Sequence, residues 1–166
     1  MMPRFAWTSE RVRDALGLPS KGEDGRTYAG VSTDTRNLRP GELFVALRGE
    51  RFDGADFVGA AAAAGAAGAV VERHPDDLPA DFELFVVNDS LEALGQLAAA
   101  RRLALDPIVV AITGTSGKTT TRELMMTALG SGAYGSPGNF NNLVGLPLSI
   151  LAAPENARIW VLELAS

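Results

Sequence analysis

Short apolar runs alternate with polar, glycine-rich breaks along the whole chain, a pattern that predicts strands and helices taking turns. Between residues 7 and 16, Val12, Ala15 and Leu16 share one helical face, Thr8 or Ser9 stands where an N-cap belongs, and Gly17 stops the run. After the polar stretch SKGEDGR come two expected strands, Tyr28–Ser32 and Glu42–Leu47, separated by a turn at Pro40 and Gly41. The segment GADFVGAAAAAGAAGAVVE predicts an alanine-rich helix and then a strand near Ala69–Val71, completing a strand-helix-strand unit. Its small residues let a helix lie close to a sheet, so the run reads as packing rather than as low complexity. A further strand, Leu84–Val87, leads into NDSLEALGQLAAARRLAL. There Asp89 and Glu92 have capping-box spacing, and Leu91, Leu94, Leu97 or Ala98, and Leu105 keep a helical period up to Asp106 and Pro107.

From Pro107 the texture changes. PIVVAIT is a continuous apolar run of the kind found in strands buried on both faces, and RIWVLELAS supplies another. Between them TTTRELMMTAL places Leu124 with Ala128 and Met125 with Leu129 at helical spacing. The expected fold class is therefore α/β: residues 1–105 form a first α/β domain, and residues 106–166 open a second whose sheet is mainly parallel. A parallel sheet of so few strands leaves apolar faces bare, and the reading expects the chain to be the first part of a longer protein.

Composition narrows the chemistry. With 46% hydrophobic and 21% charged residues among 166, the chain can bury a real core. It contains no cysteine, which excludes a thiol nucleophile and a zinc-thiolate site, and its single histidine, His74, sits beside Pro75 in a polar loop and reads as a surface residue. No apolar run reaches the roughly 18 residues that span a bilayer. A cytoplasmic monomer without membrane insertion is expected. The net charge is -5 with a pI near 4.9, and no cluster of Lys and Arg marks a nucleic-acid surface. Anionic small molecules would have to be met by backbone dipoles and a few placed cations.

The stretch VVAITGTSGKTTT offers such a place. Read against the phosphate-loop pattern G-x-x-x-x-G-K-[ST], it has Ile112 where the first glycine belongs, and an ordinary strand-to-helix turn is the competing reading. Lys118 in a first helical turn opposes the positive end of the helix dipole, with no acid before Glu123, an arrangement suited to a bound anion. Three threonines are poor helix formers but useful beside phosphate and Mg²⁺. The expectation is that Gly114, Thr115, Ser116, Gly117, Lys118, Thr119 and Thr120 cradle phosphates, with Lys118 neutralising charge and Thr119 ligating Mg²⁺. Glu163 is either a solvent-facing strand end or a metal ligand, the second if its strand runs parallel to the one ending at Thr113. Asn139, Asn141 and Asn142 either satisfy local turns or bind substrate. Ser32, Asp34, Thr35 and Arg36 pose the same choice, with Arg36 suited to a diphosphate.

These residues carry a resemblance. AITGTSGKTTT resembles the ATP loop of the Mur ligases, cytoplasmic amide-forming enzymes that build the peptide of bacterial cell-wall precursors, in which G-T-[NS]-G-K-[TS] follows a strand. That pattern has no glycine at the position of Ile112. Folylpolyglutamate synthases share it more loosely. GVSTDTRNLRPGELFVALRGERFDGADFVGAAAAAGAAGAVVE is similar to the UDP-binding N-terminal domain of the members that add the third residue or the final dipeptide. SPGNFNNLVGLPLSIL is similar to T-P-G-N-x-N-N-x-x-G-x-P-L of the dipeptide-adding members, while Ala165 departs from the usual glycine after Glu-Leu.

The resemblance implies a three-part fold, of which this chain holds the UDP-substrate domain and the opening of the ATPase domain. It implies ATP and Mg²⁺ as cofactors, and UDP-N-acetylmuramoyl-tripeptide and D-alanyl-D-alanine as substrates. A tripeptide carboxylate would be phosphorylated, and the dipeptide amine would attack the acyl phosphate to give an amide, ADP and phosphate. By the same resemblance Gly114 to Thr120 meet ATP, Glu163 joins Thr119 at Mg²⁺, Ser32, Thr35 and Arg36 meet the UDP part, and Asn139 and Asn142 face the muramoyl peptide. The other readings are a ligase adding the third residue and a non-catalytic module binding a UDP-sugar or ATP. These 166 residues alone are expected to be inactive, with raised mobility near residues 131–142.

Overall fold

The computed structural model describes residues 5–22, 24–49, 52–76, 78–138 and 140–165. They divide into two compact units, Ala6–Leu97 and the residues from Ala98 onward together with Phe5.

The first unit runs β1 (Trp7–Thr8), α1 (Ser9–Ala15), β2 (Thr27–Tyr28), β3 (Val31–Ser32), β4 (Leu43–Val45), a 3-10 turn (Gly54–Phe57), α2 (Val58–Ala63), β5 (Gly68–Val71) and β6 (Glu83–Val86), and ends within α3 (Ser90–Leu105). Strands β3-β4-β5-β6 form a parallel sheet in chain order, while β1 and β2 pair antiparallel. The sheet centre is buried because β4 and β5, with Ala46 just after β4, present Phe44, Ala46, Ala69 and Val71 to Val58, Ala61 and Ala66. The small residues of α2 bring that helix onto the sheet, as the sequence pattern predicts.

The helix starts follow their capping chemistry. Thr8 accepts from the Arg11 N–H at 3.1 Å, and Asp89 Oδ1 accepts from the N–H groups of Leu91 and Glu92, each at 2.8 Å. The other half of the expected capping box is replaced: Glu92 accepts from the Gln96 amide. The single strand expected at Tyr28–Ser32 is two. The chain changes partners at Ala29 and Gly30, where Ala29 N–H donates to Gly41 and Leu43 N–H to Gly30. Tyr28 thereby serves the small sheet, and its hydroxyl reaches Glu83 at 2.7 Å.

That contact belongs to a buried ion cluster. Arg13 pairs with Glu83 at 2.7 Å, their side chains only 5% and 9% exposed; Ser9 donates to the same carboxylate at 2.8 Å. The guanidinium lies 5.1 Å from the Phe85 ring centre. Burial pushes the Glu83 carboxyl up, but hydrogen bonds from Tyr28, Arg13 and Ser9 outweigh it and hold the group below its usual value. Burial and the carboxylate push the Tyr28 phenol up. Together these groups fasten α1 and β2 to β6.

The second unit holds the end of α3, β7 (Ile108–Ile112), α4 (Lys118–Leu129), a 3-10 turn (Gly130–Gly132), β8 (Ala133–Gly135), α5 (Gly145–Ala152) and β9 (Ile159–Glu163). Its sheet is parallel with order β7-β9-β8. The inner strand β9 buries Trp160, Val161, Leu162 and Glu163. Trp160 meets the Tyr134 ring edge-on at 6.4 Å, and the Tyr134 hydroxyl donates to the Ser149 carbonyl at 2.8 Å.

Here the apolar pattern overstates burial. PIVVAIT forms the expected strand, but β7 lies at a sheet edge with Ile108 66% exposed, and α4 buries none of its residues, Leu124 being 67% exposed. Neither β8 nor α5 is evident from the pattern. Asn142 Oδ1 accepts from Val144 and Gly145 N–H at 3.1 and 2.7 Å and so starts α5. Pro147 then falls in the first turn, where no N–H is needed. Among the described residues no helix is long and apolar enough to cross a membrane.

Candidate functional site

The loop between β7 and α4 is shaped for an anion. Gly117 takes the left-handed conformation, φ 78°, at the cap position of α4; no side chain caps the helix and no acid lies in its first turn. A side chain at 117 would be strained there, whereas glycine turns the backbone without cost. The intrahelical ladder starts with Thr121 N–H donating to the Gly117 carbonyl at 2.9 Å. The earlier N–H groups of the helix are left to meet a ligand, with the dipole behind them. They border a hollow of about 210 Å³ lined by Thr115, Ser116, Gly117, Lys118, Thr119 and Thr120. Lys118 folds back to donate to the Gly114 carbonyl. Gly114 itself is outside that lining.

Strand register brings in the acid. β7 and β9 are parallel neighbours with Ile112 opposite Glu163, and Leu164 N–H donates to the Ile112 carbonyl at 2.8 Å. The carboxylate therefore ends beside the loop: Thr119 Oγ1 donates to Glu163 Oε2 at 3.3 Å. A hydroxyl and a carboxylate are hard oxygen donors, and Mg²⁺ binds through one or two such groups plus phosphate oxygens and waters. The donor set fits a magnesium nucleotide, although no cluster of three or more acids or histidines exists among the described residues.

Sequence reasoning missed Arg122, one helical turn beyond Lys118 and on its face. Its guanidinium stands 3.1 Å from Glu163 Oε1, the two side chains being 12% and 2% exposed. The angle is not that of a hydrogen bond, so Oε1 has a charge partner and no donor. Arg122 also donates to the carbonyls of Ser136 and Gly138, at 2.5 and 2.9 Å. Ser136 Oγ in turn accepts from the Glu163 N–H at 3.3 Å. The i, i+4 spacing of Lys118 and Arg122 was the available signal; what it lacked was the position of β8.

Asn142 is committed to starting α5, and the Asn141 carbonyl accepts from Ala165 N–H at 2.7 Å, which ties the loop to the end of β9. Asn139 lies outside the described residues.

In the first unit a separate cleft of about 520 Å³ is lined by Thr33, Asp34, Thr35, Arg36, Phe52 and Phe57, among others. Its floor depends on Gly54, where a Cβ would come within 2.5 Å of the Ala46 carbonyl carbon and the Leu47 oxygen. Of the expected residues, Thr35 and Arg36 line the cleft, whereas Ser32 is held outside the lining, exchanging hydrogen bonds with the Asp34 backbone. Arg36 is 84% exposed and paired with Asp34 at 2.6 Å. The Arg36 guanidinium and backbone N–H hold the Asp34 carboxyl down to about 2. An incoming diphosphate would compete with Asp34 for this arginine. His74 is exposed.

With this geometry in place, likeness to known proteins is informative. The pattern of the "Mur ligase family, catalytic domain" matches residues 27–102, and that of the "Mur ligase middle domain" residues 112–166. The UDP-N-acetylmuramoyl-tripeptide–D-alanyl-D-alanine ligase of Bacillus subtilis is 45% identical over 94% of this chain and 34% of its own. A crystal structure of MurF from Acinetobacter baumannii, 34% identical, superposes with a TM-score of 0.83 over 99% of this chain and 37% of that one. MurF ligase from Thermotoga maritima in complex with ADP, 36% identical, gives 0.72 over 87% and 33%. The chain thus spans about a third of the length of the relatives it matches. With two family patterns end to end along it and a shared α/β fold of mainly parallel sheets, the chain belongs to the Mur ligase family.

Proposed function

We propose that the chain provides the UDP-precursor cleft and the phosphate loop of an ATP-dependent ligase that joins D-alanyl-D-alanine to UDP-N-acetylmuramoyl-tripeptide in the bacterial cytoplasm, working as a monomer. The observation that carries this is the uncapped start of α4 behind a left-handed Gly117, with Thr119 and Glu163 meeting at its side. The ADP held by the Thermotoga relative supports a nucleotide at this loop. This reading sets the boundary between the UDP-precursor domain and the ATPase domain after residue 105, at the end of α3, whereas the compact units divide earlier in that helix, after Leu97.

In this reading the backbone N–H groups from Gly114 to Thr120 hold the phosphates, and Lys118 leaves the Gly114 carbonyl to neutralise the transferring phosphoryl group. Thr119 and Glu163 hold Mg²⁺, which when bound offsets phosphate charge. Arg36 and Thr35 serve the UDP diphosphate, and Asn139 the muramoyl-peptide side together with Asn142, through the side-chain NH₂ that its cap bonds, made by Oδ1, do not use. In the reaction the tripeptide carboxylate oxygen bonds to the γ-phosphorus as ADP leaves. The dipeptide amine then forms the C–N bond as the C–O bond to phosphate breaks and the amine proton is lost.

Calorimetric titration of the chain with ADP and Mg²⁺ tests the reading. Binding is expected, with Lys118→Ala weakening it by about tenfold or more and Arg36→Ala leaving it unchanged. Arg36→Ala should instead weaken the UDP precursor. Nucleotide binding that ignores Lys118 would overturn the assignment of the loop.

A further inference from the structure

We propose that Arg122 is a positioning residue of the phosphate site, which fixes the Glu163 carboxylate for a magnesium nucleotide and anchors the turn from Ser136 to Gly138 to the same point. This rests on the reading of Gly114 to Thr120 and Glu163 as a magnesium-nucleotide site.

Arg122 is only 12% exposed on a helix that buries none of its residues fully, and its guanidinium points inward to two backbone carbonyls and the Glu163 carboxylate. A carboxylate as enclosed as Glu163 is costly to bury without a compensating charge beside it. Arg122 supplies that charge from one side only. Oε1 faces the guanidinium at 3.1 Å, which leaves Oε2 toward Thr119. The carboxylate is thus presented through a single oxygen, beside the hydroxyl expected to share its metal.

One nitrogen makes all of these contacts: Nη1 donates to the Ser136 and Gly138 carbonyls and is also the atom 3.1 Å from Glu163 Oε1. The arrangement needs a positive charge held at that point with donors for two carbonyls, and a lysine ammonium carries both. Two acceptors, Ser136 and Gly138, belong to the turn after β8, which leads to Asn141 and Asn142. Ser136 closes the circuit by accepting from the Glu163 N–H. The metal carboxylate and the amide-bearing loop therefore share one fixed point, and a change in either is felt at the guanidinium.

The experiment compares ADP affinity with Mg²⁺ and with EDTA, the ratio being the magnesium gain. The chain is taken as wild type, Arg122→Gln, Arg122→Lys, Glu163→Gln and the Arg122→Gln/Glu163→Gln pair. Arg122→Gln is expected to cut the gain about fivefold or more while ADP affinity in EDTA moves less than about twofold, and Arg122→Lys to restore most of it. The pair should match Glu163→Gln, since both act through one carboxylate. A full gain in Arg122→Gln with a lost gain in Glu163→Gln overturns the proposal and leaves the reading intact. No gain in wild type, or a full gain in Glu163→Gln, removes the reading and the proposal with it. Should Arg122→Gln not fold, nitrogen-15 NMR of the wild-type guanidinium decides: its Arg122 resonance is expected to shift when Mg²⁺ is added to the ADP complex, and a silent resonance overturns the proposal.

Discussion

Strands β5 and β7 have similar letters, GAVV and IVVAI, and both pair only in parallel, yet their surroundings differ. Every residue of β5 is buried, with a strand on each side and α2 packed near it, whereas β7 has one neighbour and exposes Ile108. An apolar run records what a strand's faces are compatible with; the neighbouring elements decide whether those faces are covered. In the first unit the residues from 27 to 97 supply that cover. In the second, Ile108, Leu124 and Leu143 remain open to solvent at 66%, 67% and 77%.

The contrast can be broken by substitution, read separately through Trp7 in the first unit and Trp160 in the second, which are 3% and 0% exposed. The largest effect belongs to Phe85→Ala, which empties a fully buried site under Tyr28 and Arg13. A loss of about 3–5 kcal/mol in urea unfolding is expected for the first unit. Next comes Glu83→Gln, which strands Arg13 without its counter-ion and should cost about 3 kcal/mol. The same cluster sets an acid limit. Because the folded Glu83 pKa lies below its ordinary value of 4.5, the contribution is complete above that pH and is lost as pH falls through the lower folded value. A unit whose stability is flat from pH 6 to about pH 3 would contradict this. Smallest is Ile108→Ala in β7, expected within about 0.5 kcal/mol of wild type. A cost equal to that of Phe85→Ala would show that β7 is covered in solution.

How much was legible in the sequence follows the same line. The strand, loop and helix from Ile108 to Leu129 were readable because Gly117 and Lys118 have few other uses at a helix start. The helix from Ser90 was readable from Asp89, whose cap is local. β8 was not: Ala133, Tyr134 and Gly135 include two residues with little strand preference, and they are extended because β9 offers a partner. α5 was hidden in a stretch where Asn142 and Pro147 look like loop residues, although together they begin a helix. Arg122 escaped for a related reason, since its acceptors come from segments 14 and more residues away. Three of the residues expected to be mobile, 133–135, form β8.

Lys118 resting on the Gly114 carbonyl gives the loop a ground state in which its cation is already solvated by its own backbone. An arriving anion displaces an existing partner instead of meeting a bare charge. Monovalent salts have one weak contact to offer in that exchange, while a polyphosphate takes the lysine and the open helix N–H groups together. In the proposed reading this makes the loop a threshold device, one that passes over small ions and responds to multivalent ones.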